Sequence, residues 1–342
     1  MTKPFISICT PTFNRRPFFP FIIKCFVNQT YPREKMEWII VDDGTDKIED
    51  IISLYNIPQI KYFKYDTKMT LGKKRNLCHE KCKGDIIIYM DDDDYYPPER
   101  VSHAVETLMK NPKALCAGSS EMFIYFKHIQ KMYKFGPYGQ THSTAATFAF
   151  RKELLLQTSF DDNASVSEEK HFLKGYTIPF VQLDSKKCIL VFSHIHNSFD
   201  KKILLETPND YICVSNVKVE DIVKEKDIRK FFLEDIDKKL QTYKPGSLEN
   251  KPDVILQIDN IKKNREKQLK QNQQDLAAVN AYTKLIEKHS NSNNSNINNN
   301  EIKDKYERKI NDMMVVIQEL MNENKLLKEK ISYFENINNK TI

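Results

Sequence analysis

Gly84-Asp85-Ile86-Ile87-Ile88-Tyr89-Met90-Asp91-Asp92-Asp93-Asp94-Tyr95-Tyr96-Pro97-Pro98-Glu99-Arg100 is the stretch on which the reading of this chain turns. The continuous apolar run from Ile86 to Met90 predicts a strand covered on both faces. Pro97-Pro98-Glu99-Arg100 predicts a helix start, because proline suits a first helical turn. Between them stand four adjacent carboxylates. Such a group repels itself unless a cation or strong hydrogen-bond donors neutralise it. Hard oxygen ligands suit magnesium or manganese, above all beside a phosphate-bearing substrate. A solvated acidic loop is the alternative, and the placement between an apolar strand and a helix start favours a metal site.

Working outward, the preceding sequence alternates strands and helices. Phe5-Ile6-Ser7-Ile8-Cys9 is a strand ended by Thr10-Pro11. Apolar residues at helical spacing follow from about 18 to 29. Trp38-Ile39-Ile40-Val41 is a short buried strand, followed by a helix near 46–55 and a strand over Ile60–Tyr65. A helix over about 72–82 leads into the acidic strand. This βαβαβ order predicts an α/β fold with a mainly parallel sheet and right-handed crossovers. Ligands of such sheets bind outside the carboxyl ends of the strands. Two more polar clusters sit at such ends: Thr10-Pro11-Thr12-Phe13-Asn14-Arg15, and Asp42-Asp43-Gly44-Thr45.

Of the 342 residues, 40% are hydrophobic, enough to bury a sizeable core and to argue against wholesale disorder. The 53 basic and 47 acidic side chains leave a net charge of +6, too little and too thinly spread to mark a nucleic-acid surface. No apolar run approaches the roughly 18 residues of a membrane span. The N-terminal MTKPFISICTPTFNRR has no signal-peptide character, so a cytoplasmic location is expected. Seven cysteines without a CxxC pair read as small buried hydrophobes in a reducing compartment rather than a zinc site or disulfide framework.

The chain has neither a G-x-x-x-x-G-K-[ST] nor a G-x-G-x-x-G motif, so a pyrophosphate would be handled mainly by metal. At this point ISICTPTFNRR, WIIVDDGT, LGKKRN, GDIIIYMDDDDYYPPERV and a later SEEKHFL together resemble the GT-A-fold, family 2-type glycosyltransferases over about residues 4–200. The Asn- and Lys-rich composition suggests an AT-rich genome, and the pattern is similar to glycosyltransferases of large DNA viruses. The resemblance implies roles. Pro11, Thr12 and Arg15 match the loop along the nucleotide. Asp43, with Asp42, matches the acid that accepts a hydrogen bond from uracil. Lys74, Arg75 and Asn76 fall on an Ala-Arg-Asn position, with Arg75 stabilising the base or diphosphate. Asp91, Asp92 and Asp93 cover a DXD motif, with Asp93 the principal metal ligand and Asp91 or Asp92 toward the ribose. The metal would take up the charge of the departing diphosphate.

An inverting transfer also needs a base for the acceptor hydroxyl. In Ser167-Glu168-Glu169-Lys170-His171-Phe172-Leu173, Glu169 aligns with the family's catalytic Asp. Glu replaces Asp, which leaves Glu168 or Glu169 as the base, with Glu169 preferred. Ser167 is also an N-cap candidate, with both acids favourable to the helix dipole. Thr144–Arg151 resembles the small-residue strand that floors the donor-sugar pocket. In Ser193-His194-Ile195-His196-Asn197 the two histidines share a strand face and could reach the metal or the diphosphate. A core or surface role competes for each, and His196 is preferred, because Asn197 follows it in a turn-like setting.

The division expected is a GT-A catalytic domain over 1–215, a helical extension over 216–289, an Asn-rich linker over 290–300 and a coiled coil over 301–339. In the extension Val219, Ile222, Val223, Phe231, Phe232, Ile236 and Leu240 form a stripe suited to packing on the catalytic domain. In the last segment Ile310, Ile317, Asn324 and Ile331 recur every seven residues, offset from Tyr306, Met313, Leu320, Leu327 and Phe334. Ile at a with Leu or Met at d predicts a parallel homodimer, with Asn324 fixing register.

The function expected is therefore a metal-dependent (manganese or magnesium), inverting glycosyltransferase. It would use a nucleotide sugar, UDP-linked by the resemblance, on an acceptor hydroxyl of glycan, protein or lipid. A nucleotidyltransferase would ask for a glycine-rich loop on the first strand, which TPTFNRR is not. An inactive scaffold dimerised by its coiled coil would have no need of four self-repelling carboxylates.

Overall fold

The computed structural model describes residues 3–166, 168–205 and 210–292. The first 110 residues alternate strand and helix: β1 (Ile6–Thr12), α1 (Phe19–Val27), β2 (Met36–Asp42), α2 (Glu49–Tyr55), β3 (Ile60–Lys64), α3 (Leu71–Lys81), β4 (Ile86–Tyr89) and α4 (Arg100–Lys110). The stretch that follows is built of shorter pieces. These are β5 (Cys116–Gly118), β6 (Met122–Phe126), β7 (Lys131–Phe135), β8 (Ala149–Arg151), α5 (Glu169–Phe172), β9 (Phe180–Gln182), β10 (Leu190–Ser193) and β11 (Ile212–Val214).

The main sheet has seven strands in the order β3-β2-β1-β4-β8-β5-β9. β1 pairs in parallel with β2 and with β4, and β2 in parallel with β3. β8 runs antiparallel to both β4 and β5. β1 and β2 are buried along their whole length, as expected of strands with helices on both faces. On one face α1 lays Phe26 on the Trp38 indole at a ring separation of 5.0 Å. On the other, Cys78 and Cys82 of α3 reach Cys9, the Sγ atoms of Cys9 and Cys82 lying 3.3 Å apart. Six of the seven cysteines are buried and Cys213 is exposed.

The order β3-β2-β1-β4 places a topological switch point between β1 and β4, where the crossovers from β1 and from β4 leave in opposite directions. The two strands are pinned together there: Thr10 Oγ1 donates to the Met90 carbonyl at 2.5 Å and accepts from Trp38 Nε1 at 2.8 Å. The crevice between the Thr12 and Asp91 ends is thus fixed by buried hydrogen bonds. A second sheet, β10-β6-β7-β11, has β10 parallel to β6 and the other pairs antiparallel.

The described residues up to Gln257 form one compact unit, and those from Ile258 to Ser292 belong to a second. Residues 216–257 lie inside the first. They contribute α6 (Val219–Ile222), α7 (Lys226–Lys230), a π-helical turn at Phe231–Asp235, α8 (Ile236–Thr242) and the start of α9 (Pro252–Ser292). All seven stripe residues from Val219 to Leu240 are buried. Phe231 stacks on Phe21 at 3.6 Å and Phe232 on Phe192 at 4.4 Å. α9 runs on through residues 290–292. The remainder of the Asn-rich tract and the heptad segment 301–339 lie outside the described residues. No described helix is long and apolar enough to cross a membrane.

Candidate active site

The loop after β1 opens the site. Asn14 takes a left-handed backbone (φ 53°), and its Oδ1 accepts from the Asp46 amide at 2.9 Å. That turn sends Arg15 inward. Arg15 is 5% exposed; its NH2 donates to the His196 carbonyl at 2.9 Å and lies 3.1 Å from Asp93 Oδ2, while Nε stands 3.6 Å from Asp92 Oδ1. Pro11 and Arg15 line the same cleft as Asp91, Asp92 and Asp93. Thr12 Oγ1 is buried with no hydrogen-bond partner among the described residues.

The acidic residues at the end of β4 differ from one another. Burial pushes Asp91 up, against the pull of Arg75 3.6 Å from its Oδ1. Burial raises Asp92 to about 6, with Arg15 opposing. Asp93 is half-buried, and Arg15, with His194 and Lys201, holds it well below the usual carboxylate range. Asp94 turns to the second sheet and accepts from the Phe192 amide at 3.3 Å. The four charges are therefore neutralised piecemeal, as self-repulsion requires.

At the end of β2, Asp42 accepts from the Gly44 amide at 2.8 Å and from the Tyr62 hydroxyl at 2.6 Å. Both oxygens of Asp43 are engaged, one by Lys74 Nζ at 2.8 Å and the other by the Met69 amide at 2.5 Å. Lys74 also donates to the Thr12 carbonyl at 3.2 Å, which ties α3 to the β1 loop.

α3 starts at an N-cap, Thr70, whose Oγ1 accepts from the Lys73 amide. Gly72 follows, and its amide donates to the Ala164 carbonyl at 2.8 Å. A Cβ at Gly72 would collide with the Asp161 carbonyl oxygen. The missing side chain lets residues 161–164 close on α3. Asn76 clamps the same loop: Nδ2 donates to the Phe160 carbonyl and to Asp162 Oδ1, and Oδ1 accepts from the Phe160 amide. This docking brings Glu168 to Arg75, whose Nε donates to Glu168 Oε1 at 2.9 Å. The Arg75 guanidinium lies 4.3 Å over the Tyr89 ring. Glu169, the first residue of α5, is half-buried and makes no ion pair among the described residues. Burial, then the neighbouring Glu168 charge, raises it to about 7. Ser167 lies outside the described residues.

The two histidines divide differently from the sequence expectation. It is His194 that reaches the acidic cluster, with Nε2 3.3 Å from Asp93 Oδ2 and its ring tilted against that of Phe18 at 4.9 Å. Burial lowers it to about 3. His196 instead gives its carbonyl to Arg15, and its buried Nδ1 has no partner among the described residues. The chain turns at His194, whose amide is held by Asn197 Oδ1 at 2.8 Å, and so the two rings lose the shared face of a continuous strand. Thr144–Arg151 is a 3₁₀ turn followed by β8, inserted between β4 and β5.

Sequence reasoning missed the contribution from residues 243–254. Lys251, Asp253 and Val254 line the cleft, with Lys68, Ser165 and Ser198. Asp253 pairs with Lys68 and accepts from Ser165 Oγ at 2.6 Å. The available signal was Pro245-Gly246 and Pro252, which break the helical pattern where the chain folds back.

Among the described residues no three His, Cys, Asp or Glu side chains converge as a ready-made metal cage. The buried Asp91 Oδ1 has no hydrogen-bond partner among the described residues, however, and Asp93 presents a carboxylate held ionised. One or two carboxylates completed by substrate phosphates is the usual manner of holding magnesium, and this donor set fits it.

Residues 7–162 match the family described as Glycosyl transferase family 2. An uncharacterized glycosyltransferase of Haemophilus influenzae is 30% identical over 122 residues, 35% of this chain and 48% of that protein. The poly(ribitol-phosphate) beta-N-acetylglucosaminyltransferase TarS of Staphylococcus aureus is 28% identical over 101 residues, 29% of this chain and 18% of that protein. The chain thus spans less than half the length of these curated relatives. Among solved structures, S. aureus TarS 1-349 superposes with a TM-score of 0.43 at 20% identity, covering 55% of this chain and 60% of that one. The mannosyltransferase PcManGT of Pyrobaculum calidifontis, in complex with GDP-Man and Mn2+, gives 0.45 at 14% identity, covering 56% and 57%.

Proposed function

Residues 7–162 belong to glycosyl transferase family 2, and from that premise we propose that the chain is a GT-A-type, metal-dependent, inverting glycosyltransferase. Its donor is a nucleotide sugar, UDP-linked, and its acceptor carries a hydroxyl. The donor lies in the crevice between β1 and β4, along Pro11, Thr12 and Arg15, with Asp43 and Asp42 toward the base and Asp91 or Asp92 toward the ribose. Arg75 faces the diphosphate. Asp93, with Asp91, would hold magnesium or manganese, which when bound supplies positive charge for the departing diphosphate.

The acceptor oxygen forms a bond to the anomeric carbon as the bond from that carbon to the diphosphate oxygen breaks. The electron pair leaves with the nucleoside diphosphate, and the hydroxyl proton passes to Glu169. One observation carries this assignment. Arg75 engages Glu168 at 2.9 Å, which leaves Glu169 without an ion pair among the described residues, and burial, then the Glu168 charge, raises it to about 7. A general base is most effective when its pKa lies near the working pH. Glu168 is the positioning residue: it aligns Arg75 and raises its neighbour.

The test is donor turnover by the full chain with a panel of UDP- and GDP-sugars, with and without manganese. Metal-dependent release of UDP, lost on chelation and in Asp93→Ala, is expected. Undiminished turnover in Asp93→Ala would remove the metal assignment, and the absence of turnover with every donor would remove the activity.

A further inference from the structure

Four other cations line the cleft, and each already has a carboxylate partner. Arg15 faces Asp93 and Asp92, Lys68 faces Asp253, Lys74 faces Asp43, and Arg75 faces Glu168 and Asp91. Lys251 is the exception. It is 5% exposed, and it makes no ion pair among the described residues. Its Nζ has two neutral neighbours, Ser198 Oγ at 3.2 Å and the His196 carbonyl at 3.5 Å. The opposite charges that act on it, Asp93 and Asp92, make no ion pair with it, and an ammonium held out of water without a direct partner is costly.

The backbone holds it there deliberately. Tyr243 donates its hydroxyl to Asp46 Oδ2 at 2.8 Å, and Asn14 Nδ2 donates to the Pro245 carbonyl at 3.0 Å. At Gly246 a Cβ would stand 2.7 Å from the Asn14 carbonyl oxygen and 2.8 Å from His196 Nδ1, so only glycine lets the turn sit this close. Past Lys251, Asp253 and Gln257 fasten the start of α9 to Ser165, at 2.6 Å to Asp253 and 2.8 Å to Gln257. The strap thus carries Lys251 across the crevice and anchors it on both sides.

Resting on the reading of this crevice as a nucleotide-sugar site, we propose that Lys251 is a donor-binding residue that contacts the diphosphate from the strap side. It is the one basic side chain lining the cleft that makes no ion pair among the described residues. Burial, and then Arg15, lower its amine to about 6, in keeping with a group that gains its full charge when an anion arrives. A lysine serves such a site as a point charge.

The experiment is calorimetric titration of the full chain, wild type and Lys251→Met, with UDP or GDP, whichever binds, and with the matching nucleoside, all in magnesium. The variant is expected to weaken the diphosphate by about tenfold or more, the worth of one charge-assisted contact. Nucleoside affinity and melting temperature are expected to hold. Equal diphosphate affinity in the two proteins overturns the inference and leaves the proposed function standing. An equal loss for nucleoside and diphosphate also overturns it, since that would mean a strap held in place and nothing more. Failure of wild type to bind either diphosphate overturns the donor reading itself, and the inference with it. Lys251→Gln replaces the Met variant should the latter not fold.

Discussion

Arg75 and Glu168, 93 positions apart, form a buried ion pair at 2.9 Å, with side chains 3% and 6% exposed. The pair joins α3 to the N-terminal end of α5, and it decides which of two adjacent glutamates is left unpaired. Removing one partner would strand the other. Arg75→Met is expected to cost about 3–5 kcal/mol in urea denaturation, as for other broken buried pairs. Arg75→Met combined with Glu168→Met should recover more than half of that loss. A double variant as unstable as the single would show that Arg75 acts through packing on Tyr89 instead.

With Glu169 as the proposed base, its carboxyl should set the pH dependence of transfer. A base works deprotonated, so kcat should fall as pH drops through about 7 and level off above it. Glu169→Gln is expected to lose transfer by about 100-fold or more, in the range of general-base catalysis, while still binding UDP. In Glu168→Gln the neighbouring negative charge is gone, so the midpoint should move to lower pH. A rate profile flat from pH 5 to 9 would argue against Glu169.

Gly72 tests the docking of the loop that carries both glutamates. Gly72→Ala forces residues 161–164 away from α3, because the added Cβ meets the Asp161 carbonyl. Overpacking of this kind costs about 1–3 kcal/mol. The turnover number should drop with little change in UDP affinity, since the loop holds Glu168 and Glu169 but not the β1 ligands. Wild-type turnover in this variant would show that the loop relaxes without moving them.

His79 makes the catalytic half acid-labile. Its Nε2 lies 2.5 Å from the Tyr89 hydroxyl inside an aromatic cluster, and burial lowers it to about 3. Unfolded histidine titrates near 6.5, so below that pH the unfolded chain binds more protons and folding stability falls until about pH 3. Between pH 7 and pH 5 this one residue should cost about 2 kcal/mol. His79→Phe should remove that share of the decline. An NMR titration in which the His79 ring charges between pH 6 and 7 would contradict the account.

The sequence by itself determined the alternation of strands and helices and the polar clusters that mark the crevice. Unbroken apolar runs at Trp38–Val41 and Ile86–Met90 can only be buried strands, and the polar clusters that terminate them must then share one edge. Local pattern carries that much because a period of two or of 3.6 is written in neighbouring residues. The tertiary structure decided what no local pattern holds: which charges meet. Whether Arg75 takes Glu168 or Glu169, whether His194 or His196 reaches Asp93, and whether residue 251 enters a cleft built from residues 11–93 all depend on close approach across long sequence separations. Those approaches rest on single small residues, Gly72 and Gly246, whose lack of a side chain reads in sequence as a turn and in the fold as room for another backbone.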